Sequence, residues 1–307
     1  MTNELPPSQD QIWSIGLHAG NSPFDLKPLP DIPNPVLTWR DVTDVPAKFV
    51  ADPFMIQADD LWYMFFEVLN QQTNKGEIGL ATSETGDVWI YRQIVLTEPF
   101  HLSYPHVFEW NGDYYMTPET LLAEAVRLYK ATDFPTHWTC VGSLVQGSFA
   151  DPSIFQYDDR WWMFACSTPY QHDTLRLYLA DELMGEWREH PASPIVEGNK
   201  RKARPAGRVL VLDETIVRFA QDCVPDYGRQ LRAFEISELT SDAYVETEHS
   251  KSPILFGSGR GWNQTGMHHV DAHLIEDGQW LACVDGSIET ALIQKTNHHA
   301  RAALIQA

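Results

Sequence analysis

One pattern returns five times along this chain, and few folds can accommodate that. Ala51-Asp52-Pro53-Phe54-Met55-Ile56, a turn at Asp59-Asp60 and the run Leu61 to Glu67 read as strand, tight turn, strand. Tyr104 to Phe108, Asn111-Gly112 and Tyr114 to Glu119 repeat it at the same spacing, as do Asp151 to Phe155, Asp158-Asp159 and Trp161 to Cys166. A looser copy opens at Arg204-Pro205-Ala206-Gly207-Arg208 and returns through Ile216 to Gln221-Asp222, with about two extra residues in its turn. The fifth runs from His269 to His273, turns at Asp277-Gly278 and returns from Trp280 to Asp285.

A second hairpin follows the first four copies, from Ile78, Arg127, Leu175 and Leu231 to the aromatics Trp89, Trp138, Trp187 and Tyr244. Fourth strands are expected at Ile94 to Leu96, Leu144-Val145, Ile195-Val196 and Ile254-Leu255. Four strands in a period of roughly 50 residues make one propeller blade, which covers both faces only by packing on neighbours. The expectation is an all-β, five-bladed propeller with four-stranded antiparallel blades, taken as one domain over residues 1–307, its blades starting near 52, 104, 151, 204 and 269.

The fifth copy runs out of chain after two strands, but residues 11–40 supply Ile15-Gly16-Leu17 and Pro35-Val36-Leu37 as its third and fourth. The ring is therefore expected to close without a covalent link, leaving two rows of backbone groups paired that would otherwise be open edges. Residues from Ser287 to Ala307 fit no blade position and are read as an outer strand followed by a short helix.

The charge balance restricts the partners. Forty-two acidic against 22 basic residues give a net charge of −20, which repels nucleic acid and anionic membrane surfaces. No run of 18 apolar residues and no basic-then-apolar leader is visible, so no membrane span is expected and the location is read as cytoplasmic. Cys140, Cys166, Cys223 and Cys283 lack C-x-x-C spacing and read as buried free thiols in a reducing compartment.

First strands line the channel of a propeller, so the residues opening them meet at one mouth: Asp52, Tyr104, Asp151, Arg204 and His269. Ends of the second strands form the next layer: Glu67, Glu119, Cys166, Asp222 and Asp285. Carboxylates crowded in one pocket push their pKa values apart, as an acid/base pair requires. An Asp before Pro is often only a turn former, but recurrence of Asp52 as Asp151 in the same register strengthens that pair. Glu67, Glu119 and Asp285 equally suit hydrogen bonds between blades. His268, His269 and His273 have near-ligand spacing, yet without a second ligand cluster they read as channel hydrogen-bonding groups, with no catalytic metal, no cofactor and a structural cation in the channel left open.

At these residues the chain resembles the five-bladed glycoside hydrolases of families 43 and 32. Ala51-Asp52-Pro53 resembles the motif carrying the general base or nucleophile, and Ala150-Asp151-Pro152-Ser153-Ile154-Phe155 the motif carrying the supporting aspartate. Where family 43 opens its fourth blade with the acid, this chain has Arg204-Pro205-Ala206-Gly207-Arg208, a departure. A closer resemblance is to the N-terminal domain of glucosamine inositolphosphorylceramide transferases and related stand-alone prokaryotic proteins. It is carried by Phe100 to Pro105, Thr117-Pro118-Glu119-Thr120, Arg204 to Arg208, Arg218 to Cys223 and Met267-His268-His269-Val270-Asp271.

Together these imply cleavage of a furanoside or of an acidic or modified sugar, with Asp52 as base or nucleophile, Asp151 supporting and Glu119 as acid. Glu67 and Asp222 are the alternative acids. His101, Tyr104, Arg204, Arg208, His268, His269 and Asp271 are expected to hold the carbohydrate or glycoconjugate, and the two arginines favour an anionic one. The competing readings are a glycan-binding propeller without catalysis and a glycoside phosphorylase.

Overall fold

The computed structural model describes residues 11–212, 215–275 and 278–289. Two strands come first, β1 (Gln11–Gly20) and β2 (Lys27–Pro28). Blade I is β3 (Ala47–Ala58), β4 (Leu61–Asn70), β5 (Lys75–Ser83) and β6 (Ile90–Leu96); blade II is β7 (Ser103–Trp110), β8 (Asp113–Glu119), β9 (Ala125–Asp133) and β10 (His137–Gln146). Blade III is β11 (Ala150–Tyr157), β12 (Arg160–Cys166), β13 (Leu175–Ala180) and β14 (Arg188–Glu189). Blade IV holds β15 (Arg204–Pro205), β16 (Leu210–Leu212), β17 (Thr215–Asp222), β18 (Gln230–Leu239), β19 (Tyr244–Glu248) and β20 (Leu255–Phe256). Blade V is β21 (Val270–Leu274) and β22 (Trp280–Glu289), completed by β1 and β2 in the order β2-β1-β22-β21.

Ring closure thus joins Gln11 opposite Glu289 through to Gly20 opposite Trp280. The fourth strand of this blade differs from the sequence expectation. β2 pairs with the far end of β1, while Leu37 bridges Ile15 alone, through Ile15 N–H to Leu37 O at 2.9 Å. Blades III and IV break their fourth strands in the same way, Val196 bridging Leu175 and β20 pairing β18 beyond β19. Outer strands cover one blade face only, so few side chains fix their register. Asp277 and residues 290–307, where a turn residue and a terminal helix are expected, lie outside the described residues.

The tight turns form as their residues dictate. Asp59-Asp60, Asn111-Gly112 and Asp158-Asp159 all have positive φ, the conformation of a two-residue turn whose twist matches the flanking strands. Between blades lie apolar layers, such as Phe54, Phe65, Leu80, Val107, Met116 and Tyr129 between I and II, or Phe155, Phe164, Leu177 and Ile236 between III and IV. Three of the four cysteines are buried and all are free; Cys140 is exposed, contrary to expectation, because β10 is an outer strand. Among the described residues no helix is long and apolar enough to cross a membrane.

In three inner strands the ladder slips by one register, between Ala51 and Phe54, Ser103 and His106, and Ala150 and Ser153. The slips fall on Asp52, Tyr104 and Asp151, with φ of 51°, 48° and 52°, each followed by a proline that has no N–H to give the ladder. Left-handed backbone at a bulky residue is costly, and such positions cluster where function requires a fixed aim. Blade IV breaks its inner strand instead. Gly207 (φ 130°) there passes so near β21 that an added Cβ would lie 1.7 Å from Val270 O.

Candidate functional site

The three bulges and the second-strand ends surround one end of the channel. Asp151 accepts from Arg204 Nε at 2.5 Å and from Gln221 Nε2 at 2.7 Å, while its own N–H donates to Glu119 Oε2 at 3.2 Å. Arg204 extends Nη2 to Glu119 Oε2 at 3.4 Å and Nη1 to Pro169 O at 3.1 Å, with His172 Nδ1 3.0 Å away. One guanidinium thus serves two carboxyl groups. Burial, and then the Asp151 carboxylate, push Glu119 up to about 8, although Arg204 and His101 pull the other way. Glu119 is therefore mostly a neutral acid at pH 7, next to an Asp151 that is held by a guanidinium.

Across the mouth, Asp52 receives Tyr104 N–H at 3.3 Å and gives its own N–H to Asp285 at 3.2 Å. Burial, then repulsion from Asp151, Glu67 and Asp285, raises its carboxyl well above the usual range. Asp285 goes the opposite way. Burial opposes its charge, but the His268 ring 2.7 Å away and N–H donors from His268 and His269 at 3.0 Å keep it low. His101 accepts Gly76 N–H on Nδ1 at 2.8 Å, which puts its proton on Nε2, 3.2 Å from Glu67 Oε1. Burial disfavours its charge, but Glu67 and Glu119 hold its pKa above the ordinary value.

Several expected site residues face elsewhere. Tyr104 turns its hydroxyl inward, 2.7 Å from Ser153 Oγ, and accepts Gly207 N–H at 2.5 Å. Arg208 and Asp271 pair at 2.7 Å, where Arg208 also donates to the Met55 and Val107 carbonyls, so both arginines of the fourth-blade motif have their guanidinium groups occupied by protein partners. Asp222, named as an alternative acid, is paired with Arg201 at 3.0 Å and Arg232 at 2.8 Å. His269 is sealed, with both ring nitrogens unpartnered and burial lowering it to about 4. His268 stacks on Trp13 at 3.9 Å.

Sequence reasoning passed over Gln221, His172 and Tyr227. Gln221 sits one residue before a second-strand end, which the repeat could have signalled; the other two lie on loops that no repeat predicts. Among the described residues, Asp52, His268 and Asp285 bring ligand atoms within 4.8 Å of one another and could hold a metal ion.

Residues 6–287 match the family model described as glucosamine inositolphosphorylceramide transferase 1, N-terminal. The chain is 35% identical over 301 residues to glucosamine inositolphosphorylceramide transferase 1 of Oryza sativa subsp. japonica, and 32% over 300 residues to that of Arabidopsis thaliana. Each alignment takes in 91% of this chain but only 40% and 39% of the relatives' length. Among solved structures, the catalytic domain of a Coprinopsis cinerea family 62 α-L-arabinofuranosidase superposes with a TM-score of 0.58 at 12% identity, covering 92% of this chain and 98% of that one. An exo-β-1,3-galactanase from Clostridium thermocellum gives 0.56 at 11%, covering 68% and 51%. At such identities the likeness speaks for the fold alone.

Proposed function

This chain belongs to the family of the glucosamine inositolphosphorylceramide transferase 1 N-terminal domain, and from that premise we propose that its channel mouth is a carbohydrate site that cleaves a glycosidic bond with Glu119 as general acid. The carrying observation is the contrast between neighbouring carboxyls: Glu119 raised to about 8, Asp151 clasped by Arg204. A carboxyl that keeps its proton, beside one clasped by a guanidinium, offers an acid and a charge-stabilising partner at one site. Asp52, across the mouth, is the remaining candidate for base or nucleophile. The relatives' name mentions glucosamine and inositolphosphorylceramide, so glucosamine-bearing glycans and glycolipid head groups are the first ligands to try.

Arg204 and Arg208 are occupied by Asp151, Glu119 and Asp271, which argues against a preference for anionic sugars. Uncharged sugars should bind as well as uronic ones, with little salt dependence.

One observation favours a second reading, glycan binding without catalysis: Asp52 is itself raised well above the usual range, which weakens it as a base at neutral pH. A panel of aryl furanosides, galactosides, mannosides and glucosaminides, with and without phosphate, separates the readings. Hydrolysis that declines as pH rises through about 8, and falls about 100- to 10,000-fold in Glu119→Gln, supports the acid assignment. Turnover only with phosphate indicates a phosphorylase, and binding without turnover a lectin-like module.

A further inference from the structure

The loop after β17 delivers Tyr227 to the mouth and fixes it there. Val224 N–H donates to Asp222 at 3.1 Å, Cys223 N–H to Lys200 O at 2.9 Å, and Gly228, at φ 68°, lies so close to Trp13 that a Cβ would meet its ring at 2.7 Å. The half-buried phenol ring has Arg204 5.0 Å from its centroid, His172 at 5.1 Å and the edge of His268 at 5.3 Å. Every one of those neighbours touches the ring. The hydroxyl is different: among the described residues it makes no hydrogen bond, and it is not among the atoms sealed from solvent without a partner. A phenol keeps its proton at neutral pH, so the hydroxyl is a hydrogen-bond donor.

A side chain clamped on its ring and left open at its one polar atom is preorganised for something that arrives from outside. Resting on the carbohydrate reading above, we propose that Tyr227 is a ligand-binding residue of this mouth, its hydroxyl donating a hydrogen bond to an oxygen of the sugar seated between Asp52 and Asp151. An aromatic ring with one wet polar end suits a sugar, which offers both apolar faces and hydroxyl groups.

The test uses the full chain and p-nitrophenyl glycosides of arabinofuranose, galactose, mannose and glucosamine, followed by saturation-transfer NMR and calorimetry. Tyr227→Phe keeps the ring and its neighbours, so its melting temperature should stay within about 2 °C of wild type, while affinity for the glycoside that binds should fall about 2- to 12-fold, the range of one neutral hydrogen bond. A deoxy analogue lacking the contacted hydroxyl should lose as much with wild type and little more with Tyr227→Phe, because the same bond cannot be removed twice. Unchanged affinity in Tyr227→Phe overturns the assignment and leaves the carbohydrate reading intact. Failure of every glycoside to bind wild type overturns both.

Discussion

Arg204 and Arg208 lie four residues apart in one segment, yet they build two unlike centres. Arg208 meets one carboxylate, Asp271, which also receives Met55 N–H at 2.7 Å and lies 2.8 Å from His273 Nε2. Burial opposes that charge, but Arg208 and His273 hold Asp271 far below the ordinary carboxylate range. Arg204 is shared between Asp151 and Glu119, and the second of these remains raised to about 8. Buried charge that is fully matched has no proton to exchange near neutrality, so it serves the architecture. Incompletely matched charge keeps a proton that can be moved.

Asp271→Asn tests the matched centre and carries the largest expected effect. It takes the counter-charge from the half-buried Arg208 and the charged acceptor from Met55 N–H and His273, all on the fully buried Asp271, so urea denaturation at pH 7 should show a loss of about 3–5 kcal/mol. Glu119→Gln keeps the neutral form that the fold holds and removes the proton uptake that folding requires of wild type above pH 4.5, so the same measurement should show a gain, up to about 3 kcal/mol, where Asp271→Asn shows a loss. Equal losses would remove the distinction between the centres.

Their pH dependences should also run in opposite directions. Glu119 is raised from 4.5 to about 8 in the fold, so its contribution to stability is complete below pH 4.5 and disappears as pH climbs through about 8. Over that window wild type should lose stability relative to Glu119→Gln by about 1.4 kcal/mol per pH unit. Asp271 is depressed, so its contribution is present above 3.8 and is lost as pH falls below that. The penalty of Asp271→Asn should therefore shrink in acid.

Asp52→Asn carries the smallest effect. Asparagine tolerates the left-handed backbone at this position and keeps an acceptor for Tyr104 N–H, while removing a carboxyl that Asp151, Glu67 and Asp285 repel. Stability at pH 7 should hold or rise by about 1 kcal/mol. A clear loss in thermal melts would show that Arg204, or the His268 ring whose Nε2 lies 3.8 Å from Asp52 Oδ1, outweighs that repulsion.

The blade repeat was legible because alternating apolar strands and turn pairs such as Asn111-Gly112 dictate local geometry wherever they occur. Register alone then assembled Asp52, Glu119, Asp151 and Arg204 at one mouth. What could not be read was which charges are matched, since the partner of Arg208 lies 63 residues along the chain and that of Arg204 lies 53. Asp222 illustrates the same gap: it occupies the second-strand position of Glu119, and only the fold brings Arg201 and Arg232 onto it. The split outer strands escaped notice because half-exposed edges impose little pattern, and Tyr227 because its loop belongs to no repeat.

A proton held by Glu119 at neutral pH is what would make this mouth an acid catalyst. Carbon-13 NMR of glutamate side-chain carboxyls, recorded from pH 4 to 9 and assigned by comparison with Glu119→Gln, reads that proton directly. One resonance titrating near 8 and missing from the variant is the predicted result. If the Glu119 carboxyl instead titrates between about 4 and 5 like ordinary glutamates, the mouth holds no acid and the catalytic reading fails.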